Sequence, residues 1–165
     1  MLIGIFGDSH DHMENIGKAV EKFNREHIDL AIHTGDYNSP FVIPVIGKLT
    51  SPVIGVYGNN DGDQAALRAR CSEFPAVRIN GNYTQLDPDG LKIALIHGQD
   101  TALLQDLICC GYYDLVVHGH THRADLYRKG NTLVLNPGEL CGYLTSKATI
   151  AFFDTLSREA RIEEL

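Results

Sequence analysis

"LIGIFGDSHD", Leu2 to Asp11, reads as an apolar strand running into a polar loop. Leu2 to Phe6 carries no charge and is closed by Gly7, and Asp8 and His10 stand two apart just beyond it. Working outward, the same punctuation returns. Asn15 to His27 places Ile16, Ala19, Val20 and Phe23 at helical spacing. Leu30 to His33 is a second strand, ended by Thr34-Gly35-Asp36. Val42, Val45, Ile46 and Leu49 give a second amphipathic helix; Pro40 suits its first turn and Pro44 blurs where it starts. Val53 to Tyr57 is a third strand, ending at Gly58-Asn59-Asn60-Asp61. A β-α-β-α-β order favours parallel pairing through right-handed crossovers.

The second half changes character. "YTQLDPDGLKIALIHG", Tyr83 to Gly98, reads as a hairpin turning at Asp87-Pro88-Asp89-Gly90, and its returning strand, Leu91 to Ile96, ends at His97-Gly98. Thr101 to Cys110 is a helix stopped by Gly111. "VVHGHTHRAD", Val116 to Asp125, closes a strand from Leu115 to His118 and continues into His120 and His122. Leu126 to Asn136 looks like a further hairpin around Lys129-Gly130-Asn131. Ala148 to Asp154 and Ala160 to Glu164 are two last strands. No linker, repeat or low-complexity tract interrupts the chain, so residues 1–165 are read as a single mixed α/β domain.

Composition narrows the function classes. The chain has 165 residues, 44% of them hydrophobic, as expected for one well-formed core. No apolar run approaches the ~18–20 residues that span a bilayer. The N-terminus lacks a basic region and reads as a first strand rather than a signal peptide, so a cytoplasmic location and no membrane partner are expected. A formal net charge of −7, with no basic block to offset it, disfavours an extended nucleic-acid surface. A small phosphorylated substrate stays open, because a bound cation inverts the local field. The four cysteines, Cys71, Cys109, Cys110 and Cys141, form no CxxC pair and read as reduced, partly buried thiols; Cys141 lies in a Gly-rich loop that could adjoin a site.

The informative pattern is where the metal-competent side chains fall. Asp8 and His10 follow the first strand, Asp36 the second, Asn59 the third, His97 the hairpin strand, and His120 and His122 the strand after the second-half helix. Ligand crevices in open α/β sheets form at that carboxyl edge. A lone Asp after a strand is usually a turn former, and a lone His is usually a hydrogen-bonded rim residue. Five strand ends together are not explained that way. His33 and His118 alternate away from this set and read as structural, His12 as a rim residue, and His27 as a cation at a helix end.

With Asp8-x-His10, Gly35-Asp36, Gly58-Asn59-Asn60-Asp61, His97 and Gly119-His120-x-His122 in this order, the chain resembles the calcineurin-like metallophosphoesterase superfamily. Within it the chain is similar to the small single-domain bacterial and archaeal phosphodiesterases. The resemblance extends to the late loop "NPGELCGYLT", Asn136 to Thr145. It implies a four-layer α/β/β/α sandwich, two mixed β-sheets flanked by helices, with two divalent metals at the strand ends. By the same resemblance Asp8, His10 and His122 would hold one metal, Asn59, His97 and His120 the other, and Asp36 would bridge. Mn²⁺ is the first expectation, with Fe²⁺, Ni²⁺ or Zn²⁺ open.

The implied activity is hydrolysis of small phosphodiesters, by in-line attack of a hydroxide shared between metals about 3.5–4 Å apart. Many members carry His where this chain has Asn60. An amide can hydrogen-bond a phosphoryl oxygen but cannot act as a general acid at neutral pH. The competing expectation is a protein-interaction scaffold on the same fold, like the small subunit of retromer. It is disfavoured because all seven ligand positions carry a competent donor. The short chain leaves little material for a specificity cap, and apolar rim segments such as Pro40 to Ile46 leave room for a homo-oligomer.

Overall fold

Along β6 (Ile93–Ile96), Ile93 and Leu95 face one apolar core while Ala94 and Ile96 face another. β7 (Leu115–Val117) and β9 (Thr132–Asn136) repeat this: Leu115, Val117, Leu133 and Leu135 on one side, Val116 and Val134 on the other. A strand's side chains point alternately to its two faces, so a sheet apolar on both faces must be covered on both. One face packs on a second sheet. The other takes helix α4 (Thr101–Cys109) through Leu104, Leu107 and Ile108.

The second sheet contains β1 (Leu2–Phe6), β2 (Leu30–His33), β3 (Val53–Gly55), β4 (Val77–Ile79), β10 (Thr149–Asp154) and β11 (Glu159–Glu164), in the order β11-β10-β1-β2-β3-β4. β1 to β4 are parallel and the last two strands join antiparallel. The partner sheet runs β5-β6-β7-β9-β8, with β5 (Tyr83–Leu86) and β8 (Asp125–Lys129) as antiparallel edges. Ile3, Ile5 and Ile32 point into the space between the sheets. Phe6 and Ala31 point outward, toward α1 (Met13–Arg25), α2 (Ile43–Ile46) and α3 (Gln64–Cys71). This computed structural model describes residues 1–165. Its layers are helix, sheet, sheet, helix, as the family resemblance implies.

Local chemistry accounts for most boundaries. α1 buries Ile16, Ala19, Val20 and Phe23, the four residues expected, and His12 caps its start by accepting the Asn15 N–H at 3.2 Å. Lys22 and Arg25 occupy the last turn of α1, so the dipole-matching role expected of His27 falls to them. His27 lies beyond the helix with φ 51°. The expected helix from Val42 to Leu49 is shorter: a 3₁₀ turn over Pro40–Val42 runs into the single-turn α2. Pro44 has no N–H to donate, which fits only the first turn of a helix. α3 and β4 were not anticipated. No helix is long and apolar enough to cross a membrane.

Candidate metal centre

The carboxyl edges of the two sheets meet, and the loops leaving them carry the seven singled-out residues. Asp8, His10, Asp36 and Asn59 come from one sheet; His97, His120 and His122 come from the other. The loops are laced together. Asp8 N–H donates to Gly35 O at 3.0 Å, His10 N–H to Asp36 O at 3.1 Å, and His120 N–H crosses between sheets to Asp8 Oδ2 at 3.1 Å. Asp61 fixes the Asp36 loop by accepting the N–H groups of Asp36 (3.0 Å), Asn38 (2.8 Å) and Gly58 (2.8 Å).

Backbone conformation is unusual here. Asp8 (φ 46°), His10 (41°), Asp36 (59°), His120 (68°) and His122 (60°) all adopt left-handed φ. Non-glycine residues do so rarely, Asp, Asn and His most readily among them. Close approach also demands glycine at two places. A Cβ on Gly58 would lie 2.1 Å from Asp36 Oδ1, and one on Gly119 would lie 2.6 Å from Asp8 Oδ2.

The imidazoles are held from outside with one nitrogen facing in. His122 Nδ1 is 2.7 Å from Glu139 Oε2, and His97 Nδ1 is 2.9 Å from the carbonyl of Thr34. An ionised carboxylate and a carbonyl only accept, so both Nδ1 atoms carry hydrogen and a neutral ring keeps its lone pair on Nε2. His10 Nδ1 similarly meets Asn38 Oδ1 at 3.1 Å. The inward atoms then face other electron-rich atoms. His10 Nε2 lies 3.4 Å from His122 Nε2 and 3.4 Å from Asp36 Oδ2. His97 Nε2 lies 3.1 Å from Asn59 Oδ1 and 3.4 Å from Asp36 Oδ2. His122 Nε2 lies 3.6 Å from Asp8 Oδ1, a buried oxygen with no hydrogen-bond partner.

Lone pairs turned toward one another in a buried site repel unless something positive sits among them. For metal–ligand bonds of about 2.0–2.2 Å, adjacent ligands stand about 3.0–3.5 Å apart, which is the spacing seen. The residues therefore fit a cation. Asp8, His10, Asp36 and His122 each offer an atom within 4.8 Å of the others. Asp36 Oδ2 also reaches His97, whose ring centroid is 5.2 Å from that of His120. Cys141 lies within the same 4.8 Å limit of His10 and His122, so the expectation that it adjoins a site holds.

Electrostatics follow burial and pairing. Burial pushes the Asp8 carboxyl up to about 6, against the pull of His97 and His122. Burial acts the same way on Asp36, but hydrogen bonding and charge from His97 and two hydrogen bonds from Asn60 outweigh it and hold Asp36 below the usual carboxylate range. For His97, burial is outweighed by Asp36 and the ring is raised. His120 is lowered by burial and by His97. Asn60 donates to both oxygens of Asp36, from its N–H at 2.8 Å and its side-chain amide at 2.7 Å.

A family model decides what this arrangement belongs to: residues 1–158 match that of the calcineurin-like phosphoesterase superfamily domain. The chain belongs to the calcineurin-like phosphoesterase superfamily. As a member of it, the chain is a phosphoester hydrolase with a candidate site for divalent metal. It is 41% identical to Phosphodiesterase MJ0936 of Methanocaldococcus jannaschii over 98% of this chain and 97% of that protein. The solved structure of an archaeal phosphodiesterase superposes with TM-score 0.95 at 40% identity, covering 100% of both chains. Vps29 of Chaetomium thermophilum, at 13% identity and TM-score 0.74 over 100% of this chain and 95% of that one, shares the fold.

This phosphoesterase also has supporting residues that were not anticipated. Glu139, fully buried, holds His122 and accepts the Leu144 N–H at 2.9 Å and the Thr145 hydroxyl at 2.7 Å. Burial would raise this carboxyl, but the His122 and Thr145 hydrogen bonds hold it down at about 2. Asn136 reaches Gly119 O and Thr121 Oγ1, both at 3.0 Å, and steadies the His120 turn. His33 is buried and stacked on Tyr37 with 3.8 Å between ring centroids, a structural role as expected.

Proposed function

We propose that this chain is a dinuclear-metal phosphodiesterase acting on small phosphodiesters. Asp8, His10 and His122 hold one cation, Asn59, His97 and His120 the other, and Asp36 is shared between them. The observation that carries the reading is the convergence of the His10, His97 and His122 Nε2 atoms with the Asp8, Asp36 and Asn59 oxygens at 3.1–3.6 Å. Bound divalent cations supply acidification of water and neutralisation of charge on phosphoryl oxygens. The protein supplies the rest. Glu139, Thr34 and Asn38 keep each Nδ1 protonated and each Nε2 unprotonated, which fixes ring orientation. Asn60 has one amide hydrogen on Asp36, and its second is free for a phosphoryl oxygen. With Asn60 beside the site and no general acid at that position, substrates with good leaving groups are favoured.

The activity named for the relative of 41% identity supports the diesterase reading, as does the complete set of seven donors, which a purely scaffolding protein has no need to retain. Mn²⁺ is the metal we expect. The test is hydrolysis of a chromogenic bis-aryl phosphate with added Mn²⁺, before and after chelation. Turnover that disappears with chelator and returns with metal is expected. No turnover with metal shown to be bound would favour the scaffold.

A further inference from the structure

β8 ends its sheet and is exposed at every residue from Asp125 to Lys129, Leu126 and Tyr127 included at 37% and 39%. Its neighbour β9 is buried throughout. Their ladder runs unbroken from Asp125↔Asn136 to Lys129↔Thr132, so no bulge twists the edge away, and the strand holds no proline. Lys129 and Thr132 flank the two-residue turn Gly130-Asn131, which makes them a hydrogen-bonded pair. By alternation the N–H and C=O groups of Leu126 and Arg128 then point away from β9. No loop backbone takes them up.

The side chains decide what pairs there. Asp125 and Tyr127 face the cleft beside α4, and Lys129 stands with Ile108 and Cys109 of α4, so all three share one face of the sheet. Neither Asp125 nor Lys129 enters an ion pair within the chain. Set a second β8 antiparallel to the first, centred on Tyr127. Asp125 falls opposite Lys129, Leu126 opposite Arg128, and Tyr127 opposite its own copy. Opposed residues share a face, so an Asp–Lys pair sits on each side of a Tyr–Tyr contact, while Leu126 and Arg128 exchange their free backbone groups. One operation serves both copies, as a two-fold axis requires.

A lysine on an edge ordinarily discourages pairing, but here Asp125 at the other end of the strand answers it. The remaining edges lack this self-complementarity. β4 has only three residues, and β5 (Tyr83–Leu86) carries no charge to fix a register. β11 carries Glu159, Glu163 and Glu164, the last two already paired with Lys22 and Lys147.

We propose that two copies of this chain associate through β8, edge to edge, joining their five-stranded sheets into one continuous sheet. The turn that carries His120 and His122 runs straight into β8, so the two candidate metal centres lie toward opposite ends of the seam. A pair of short strands buries less than the ~1,200 Å² of a standard interface, and association in the micromolar range is expected.

Sedimentation equilibrium of the full chain over ~1–500 µM, which brackets that range, reads the association. A monomer–dimer equilibrium is expected. Lys129→Glu sets acid against acid across the seam and Asp125→Lys sets lysine against lysine, so each variant alone is expected to dimerise at least about tenfold more weakly. Mixed in equal amounts, the two variants are expected to form a heterodimer with an affinity close to that of the parent, because every acid then faces a lysine. A monomer at all concentrations, a dimer indifferent to either substitution, or variants that stay monomeric when mixed overturns the proposal.

Discussion

Glu139 Oε2 lies 2.7 Å from His122 Nδ1 and 3.1 Å from the Cys141 thiol, which donates to it. One buried carboxylate thus orients an inward-facing imidazole and ties down the loop that closes over it. Removing its charge tests the first role. Glu139→Gln is expected to weaken metal binding about 10–100-fold. Competition against a chromogenic chelator reads this directly, and an affinity unchanged within twofold would assign Glu139 to loop stability alone.

Asp36 faces both His10 and His97 at 3.4 Å through one oxygen. Asp36→Asn replaces a charge shared by two proposed sites with a neutral amide. Metal content after dialysis, measured by elemental analysis, is expected to fall below two ions per chain, and diesterase activity is expected to fall by at least about 100-fold. Full occupancy with retained activity would overturn the shared role.

Asn60 cannot protonate a leaving group. Asn60→His introduces a side chain that can, and it is expected to raise monoester relative to diester hydrolysis several-fold. The rates on p-nitrophenyl phosphate and on its bis ester, measured in both proteins, give the ratio. Identical ratios would remove Asn60 from the chemistry.

His33 makes a prediction about pH. Burial is the main cause that lowers this imidazole from 6.5 to about 3. It accepts the Gly35 N–H at 3.1 Å and sits 3.2 Å from the Ser9 hydroxyl. Above its unfolded-state value both the folded and unfolded chains hold it neutral. As pH falls from about 6.5 toward 3, only the unfolded chain takes the proton, so stability declines, with a slope approaching ~1.4 kcal/mol per pH unit. Urea unfolding of metal-free protein across that range is expected to be less pH-dependent in His33→Gln than in the parent. Equal pH dependence would mean that other groups carry the acid sensitivity.

Much of this was legible in the chain because strand ends are marked by chemistry as well as by pattern. Ile93 and Leu95 alternating with Ala94 and Ile96 announce a strand covered on both faces, and Gly-Asp and Gly-His pairs announce where strands stop. What stayed hidden lacked such marks. α3 is only eight residues long and buries only Leu67 and Cys71, and β4 is a three-residue edge, so neither develops a strong period. Glu139 is a single acid in a loop; its importance comes from His122, 17 positions away, and from N–H groups that the loop turns back on it. Asn38 and Asp61 were obscured for the same reason: their roles are contacts between loops, which have no period.

The seven donors come from two different sheets. On the proposed assignment each ion takes side chains from both, so each acts as a rivet through the seam of the sandwich. Loading the metals should therefore slow hydrogen exchange on both sides of that seam together, and stripping them should let the halves loosen against each other long before either one melts.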